Sequence, residues 1–169
     1  MRERILEAAL ALYTSKPPQS VTTREIAREA KVSTGLVFHY FKNKDELEKE
    51  AACYFIEKCI PPDTVSIEEF VRLNLKLIKS NPGAFRFLQY VFEKEKYSGG
   101  KELVSKIYET GLKRLSIILN DIGVGDVEKT ATLLMAIIDG LALYSFFLDL
   151  DVEEYVDVIL KCVGCGRDV

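Results

Sequence analysis

The sequence predicts an all-α protein of about nine helices, with a small N-terminal three-helix head on a longer helical body. Three observations carry this reading. Helix starts are punctuated explicitly, apolar residues recur at helical spacing, and no window alternates cleanly with the period of two that a strand requires.

The punctuation comes first. Thr22-x-x-Glu25, Asn43-x-x-Glu46, Ser66-x-x-Glu69 and Asp151-x-x-Glu154 each pair a capping oxygen with a carboxylate three residues on, the pattern that satisfies orphan amides at a helix start. Asn81-Pro82 adds a start with proline at the first helical position, and Asp126 adds another after the Gly123-Val124-Gly125 breaker. The apolar spacing of Phe70, Leu73 and Leu77, and of Leu112, Leu115, Ile118 and Leu119, agrees. Helices are therefore expected near 2–14, 22–30, 33–40, 44–59, 66–80, 82–95, 100–122, 126–149 and 151–163. The expected division is a three-helix head over 1–46 and a helical body over 47–169.

Composition narrows the class. Apolar residues make up 48% and charged residues 29%, with no low-complexity tract, as in a soluble globular protein rather than a disordered one. Arg2, Glu3, Arg4 and Glu7 charge the first seven residues, so no secretory signal is read there and a cytoplasmic location is expected. Ala131 to Leu150 is apolar enough to suggest a membrane span, but Asp139 interrupts it, and a buried or subunit-interface helix is the better reading.

The net charge of −3 conceals an asymmetry. Residues 1–44 carry 8 basic and 4 acidic side chains, which leaves 15 of the 23 basic and 22 of the 26 acidic residues for the remainder. A basic head on an acidic body presents one face to phosphates and repels them elsewhere.

Cysteines offer less. Cys53 and Cys59 are spaced about 240° apart around a helix and cannot bridge one another there. Cys162-Val-Gly-Cys165 has the spacing of a redox or metal pair without a second pair or a histidine near it. It is read either as a thiol pair or as idle cysteines at a helix end.

The head is more specific. Lys31-Val32 is too short a connection for anything but a tight turn, so the helices on either side must cross steeply, as in a helix-turn-helix. Ile26, Ala27, Val32, Val37 and Phe41 supply the seam, and Leu6, Ala9, Leu10 and Tyr13 can cover it. If the 33–40 helix enters a major groove, Ser33, Thr34, Gly35 and Leu36 meet base edges, and His39 and Tyr40 face the groove wall or phosphates. Lys44, and before it Thr22 and Thr23, sit at helix starts suited to a phosphate oxygen. Each has a plainer reading: Thr22 and Ser33 as caps, His39 as a solvated side chain, Tyr40 as core. Spacing and charge together favour DNA.

The run Thr22-Thr23-Arg24-Glu25-Ile26-Ala27-Arg28-Glu29-Ala30-Lys31-Val32-Ser33-Thr34-Gly35-Leu36-Val37-Phe38-His39-Tyr40-Phe41-Lys42-Asn43-Lys44-Asp45-Glu46-Leu47 resembles the N-terminal signature of the TetR family of repressors. With the Ile5 to Tyr13 helix, the likeness covers about 45 residues. The resemblance implies an all-helical homodimer whose two heads read successive major grooves of a palindromic operator, and which a small ligand in the body releases. It places the DNA contacts on Thr23, Ser33, Thr34, Gly35, Leu36, His39, Tyr40 and Lys44. Three positions depart from the family pattern: Lys31 stands where glycine is usual, Phe38 where tyrosine is usual, and the Ser15 to Ser20 loop is stiffened by Pro17 and Pro18 where a glycine is common.

The body is richer in aromatic and aliphatic side chains than a thin bundle needs, so they either fill a core or line an elongated apolar cavity. The candidate ligand contacts are Phe70, Asn74, Leu77, Phe85, Leu88, Gln89, Phe92, Tyr108, Leu112, Met135 and Asp139, the last needing a partner in its apolar helix. A small hydrophobic or amphipathic effector fits. On the helices near 126–149 and 151–163, Leu133, Ala136, Ile137, Gly140, Leu141, Tyr144, Phe147, Leu148, Val156, Ile159, Leu160 and Val163 predict a homodimer contact.

Two other functions compete with a ligand-responsive repressor. A DNA-compacting protein without effector, or a thiol-responsive one, fits the basic head. An enzyme does not: no nucleophile triad, paired carboxylates, phosphate loop or metal constellation is present, no cofactor is expected, and the sole histidine lies in the head.

Overall fold

The computed structural model describes residues 1–59, 65–100, 102–145 and 147–164, with backbone alone at 104 and 152. Among them run nine helices and no strand: α1 (Arg2–Ser15), α2 (Thr23–Glu29), α3 (Thr34–Tyr40), α4 (Lys44–Cys59), α5 (Ile67–Ser80), α6 (Pro82–Tyr97), α7 (Glu102–Asp121), α8 (Val127–Tyr144) and α9 (Val156–Cys162). Single 3-10 turns occupy Pro18–Ser20 and Val152–Tyr155.

The caps read from the sequence are present, with instructive variations. Thr22 and Glu25 form the full reciprocal box. Asn43 accepts from the Glu46 N–H at 2.8 Å, but the Glu46 carboxylate turns to the Lys42 N–H instead of closing the box on Asn43. Ser66 caps Glu69 and Asp126 caps Lys129. Asp151 accepts from Glu153 and so starts the 3-10 turn rather than an α-helix, which delays α9 to Val156. Helix α8 stops at Tyr144, short of the expected 149, where Ser145 closes it by donating its N–H to Leu141 and its hydroxyl to Ala142.

The chain forms two compact units. The first comprises Met1–Lys58 and Asn81–Ile107. Its core gathers Ile5, Leu6 and Ala9 of α1, Ile26 and Ala27 of α2, Val37 of α3 with Phe41 at its C-cap, Leu47 and Ala51 of α4, and Phe87, Leu88 and Val91 of α6. Helices α1 and α6 touch backbone to backbone: a Cβ at Gly83 would overlap the Thr14 carbonyl. That approach lets Tyr13 and Phe87, both fully buried, stack with ring centroids 4.5 Å apart and planes 4° from parallel.

The second unit comprises Cys59–Ser80 and Tyr108–Val169. Helix α5 buries Ile67, Phe70, Val71, Leu75 and Ile78 at helical spacing, and it packs on α8 and α9. Ion pairs from Arg72 to Glu153 at 3.5 Å and from Lys79 to Asp151 at 3.3 Å tie α5 to the second 3-10 turn. Here one expectation is corrected. Val156, Ile159, Leu160 and Val163 are buried within this unit and are not part of an open face, because α9 lays its apolar stripe on its own chain. Open apolar side chains of this unit include Leu133, Leu143, Tyr144, Phe147 and Leu148, Val158 on α9, Leu73 on α5, and Ile117 and Ile122 at the end of α7. No described helix is long and apolar enough to cross a membrane.

Gly83→Ala forces the Thr14 carbonyl away from α6. The expected loss is about 3 kcal/mol, a fall of about 6–12 °C in Tm for a chain of this size; a thermal melt at the wild-type temperature would contradict the backbone contact.

Candidate nucleic-acid interface

The angle between α2 and α3 is built locally. Thr22 opens α2 with its hydroxyl on the Glu25 N–H, while the Glu25 carboxylate accepts from the Thr22 N–H at 2.8 Å and from Lys16 at 2.5 Å. Hydrogen bonding from Lys16, then from Thr22, holds the Glu25 carboxyl down to about 2, so this cap stays ionised well into acid. At the other end, Val32 donates to the Ala27 carbonyl at 2.9 Å and Lys31 to the Arg28 carbonyl at 3.1 Å, a Schellman closure. Its left-handed position is Lys31, with φ of 53°. It is the one such residue other than glycine among the described residues. Arg4 adds a hydrogen bond to the Lys31 carbonyl at 3.3 Å. Ile26, Ala27, Val37 and Phe41 are buried as the expected seam, with Leu6, Ala9 and Tyr13 over them.

Helix α3 buries Val37 and leaves the rest of its surface open. Ser33 caps it through the Leu36 N–H at 3.1 Å. Ser33, Gly35, Phe38, His39 and Tyr40 are exposed, and Thr34 and Leu36 are half-buried. Thr34 and Phe38, and Gly35 and His39, fall one turn apart on one face. A Cβ at Gly35 would meet nothing nearer than the Ser33 hydroxyl at 3.9 Å, so no packing within the protein requires glycine there. Phe38, 49% exposed, presents an apolar ring where a hydroxyl was expected by resemblance. His39 and Tyr40 meet edge to face at 5.3 Å.

The basic residues of the head divide. Arg2 pairs with Glu50 and lies over the Phe41 ring, and Lys16 pairs with Glu25. Arg24, Arg28, Lys31 and Lys42 are exposed and have no carboxylate within ion-pair distance among the described residues. The expected set of contacts omitted these four. A signal was available: Glu25, the carboxylate one turn from Arg28, is a capping-box residue and already engaged.

Lys44 is not a simple free cation. Its ammonium lies 3.3 Å from Oε1 of Glu48, which is 1% exposed, and Lys94 of α6 approaches the other oxygen at 2.6 Å. Lys94 also reaches Asp45 at 3.0 Å, and Lys49 stands 3.5 Å from Asp45 and 3.9 Å from buried Glu95. Partial burial works against the charged form of Lys94, but its hydrogen bonds to Glu48 and Asp45 outweigh that and hold its ammonium firmly charged.

The candidate ligand residues lie in both units. Phe85, Leu88, Gln89 and Phe92 belong to the first, with Leu88 buried and Gln89 exposed. Phe70, Asn74, Leu77, Tyr108, Leu112, Met135 and Asp139 belong to the second. Phe70 is core, and the Asn74 amide is taken up by the Phe70 carbonyl at 2.8 Å. Leu112 and Met135 are half-buried, and Met135 sits 3.6 Å from where a Cβ at Gly111 would be. Tyr108 and Asp139 do meet: the phenol donates to the carboxylate at 2.7 Å, and burial pushes the Asp139 carboxyl up. Cys53 and Cys59 are half-buried, their thiols pushed up by burial, and Cys162 is exposed. Cys165 lies outside the described residues. No group of three or more potential metal ligands occurs among the described residues.

Residues 5–51 match the sequence profile of the bacterial regulatory proteins of the tetR family. That likeness is confined to the head, residues 5–51 of the 169. Over 46 residues it is 46% identical to the HTH-type transcriptional regulator HbdR of Aromatoleum sp. (strain CIB), a match spanning 27% of this chain and 20% of that protein. Over 159 residues it is 24% identical to the HTH-type transcriptional regulator PksA of Bacillus subtilis (strain 168), covering 85% of this chain and 78% of PksA. The crystal structure of the multidrug binding protein EbrR, complexed with imidazole, shares the fold at a TM-score of 0.68 and 19% identity, covering 96% of this chain and 93% of EbrR.

Within this head, Lys31 holds a backbone conformation that suits glycine. Lys31→Gly is therefore expected to raise stability by about 0.5–1 kcal/mol, read as a higher Tm, and the β-branched Lys31→Val to lower it. A melt insensitive to both would show that the turn does not impose the left-handed geometry.

Proposed function

We propose that the chain is a DNA-binding transcriptional repressor that grips a palindromic operator as a homodimer and lets go when a small hydrophobic ligand binds its body. The observation that carries the reading is the open face of α3. Glycine in a helix costs about 0.5–1 kcal/mol relative to alanine, and nothing inside the protein asks for it at Gly35, so the bare backbone is best explained by close approach of a groove wall.

In this reading residues 1–46 bind DNA. Ser33, Thr34, Gly35 and Leu36 meet base edges, with His39 and Tyr40 beside them. Thr22, Thr23 and Lys44 hold phosphates, joined by the exposed Arg24, Arg28, Lys31 and Lys42. Phe38 suits an apolar contact such as a thymine methyl, in place of a phosphate hydrogen bond.

Residues 47–169 hold the ligand and the partner subunit. The exposed apolar side chains Leu133, Leu143, Tyr144, Phe147 and Leu148 form a surface that a second copy would cover, and Gly140, with open space where its Cβ would stand, allows close helix approach. The Tyr108–Asp139 pair is the polar anchor for the effector, with Phe70, Asn74, Leu77, Leu112 and Met135 of the same unit as further candidate contacts. The transcriptional regulators among the relatives, and the multidrug binding protein EbrR among the proteins of like fold, support a ligand-responsive regulator without catalytic role.

Two classes of variant test the DNA reading. Lys44→Ala is expected to weaken binding to every duplex alike and to reduce the salt slope by about one unit, whereas Thr34→Ala and His39→Ala shift which sequence is preferred. Unchanged affinity and preference in both classes would sink it.

A further inference from the structure

The charge cluster between α4 and α6 is not used by the reading above, yet it contains one of its phosphate contacts. Glu48 is the most deeply placed charge in the cluster, and a buried carboxylate must keep a cation or stay hydrogen-bonded. It has two ammoniums to choose from. Lys94 is on Oε2 at 2.6 Å and Lys44 is near Oε1 at 3.3 Å, with the Tyr90 hydroxyl 3.5 Å from Oε1. Among the described residues, Lys44, Lys49 and Lys94 interleave with Asp45, Glu48 and Glu95.

We infer that Lys94 is a positioning residue for DNA binding: by taking up the charge of buried Glu48, it frees the Lys44 ammonium of α4 to turn to a phosphate. Lys94 serves Glu48 and Asp45 together, so the cluster can give up Lys44 without leaving a bare carboxylate. With Lys94 removed, Lys44 becomes the remaining cation on Glu48 and is held back from DNA. Glu48 and DNA thus compete for one ammonium, and Lys94 decides the contest without touching DNA. The inference rests on reading Lys44 as a phosphate contact.

The test uses the full-length protein and a duplex of random sequence, because a phosphate contact is independent of sequence, with affinity followed by fluorescence anisotropy over a salt series. Lys94→Met is expected to weaken binding about tenfold and to lower the salt slope by about one unit, and Glu48→Gln to strengthen binding about threefold. Glu57→Gln makes the same charge change on an exposed part of α4 and is expected to stay near wild type. In the Glu48→Gln background, Lys94→Met loses its effect on the slope. An equal effect of Lys94→Met in both backgrounds would show that Lys94 acts through its own charge and would overturn the inference. So would a Glu48→Gln protein that binds no better than Glu57→Gln, and this arm decides the matter if Lys94→Met alone does not fold. If Lys44→Ala has no effect on duplex affinity, the reading of Lys44 itself fails; if it weakens binding while Glu48→Gln changes nothing, only the coupling fails.

Discussion

The backbone contact between α1 and α6 at Gly83 is the constraint on which the first unit depends. It brings Tyr13 and Phe87 into a parallel stack, and α1 then presents Ile5, Leu6 and Ala9 to the underside of the helix-turn-helix. The head therefore does not bury its core with its own three helices alone. Its floor is shared with α6, and Phe87, Leu88 and Val91 belong to the same core as Ile26, Val37 and Phe41. The Schellman closure around Lys31 fixes the remaining freedom, setting where α3 leaves that floor.

Much of this was legible because it is local. Thr22, Ser33, Asn43, Ser66 and Asp126 act within three residues of themselves, and each cap falls where the sequence places it. Lys31 stood out as a side chain where the family has glycine, and its positive φ explains why glycine is favoured there. What escaped was non-local. Nothing in the spacing of Lys44 and Lys94 announces that both sit on one buried carboxylate, because Glu48 reads as an ordinary surface residue four positions into a charged helix. The apolar stripe of α9 posed the same difficulty. Periodicity identifies an apolar face, and only the tertiary arrangement says whether α5 or a second chain covers it.

The charge asymmetry also gains detail. A count of basic residues over the first 44 positions treats them alike, but Arg2 and Lys16 are committed to ion pairs that hold helices together, and Arg4 to the turn carbonyl. Four others, Arg24, Arg28, Lys31 and Lys42, remain open to a polyanion. In the proposed reading, electrostatic attraction to DNA is carried by these four and Lys44, and the others position them.

The central claim is that α3 reads base sequence as one half of a two-fold device. Selection of bound duplexes from a random DNA pool by the full-length protein tests it most directly. Enrichment of a two-fold symmetric sequence, with half-sites in successive major grooves about one helical turn apart, is the result the account requires. Retention of DNA with no sequence enriched, or of a single half-site without its symmetry mate, would contradict it.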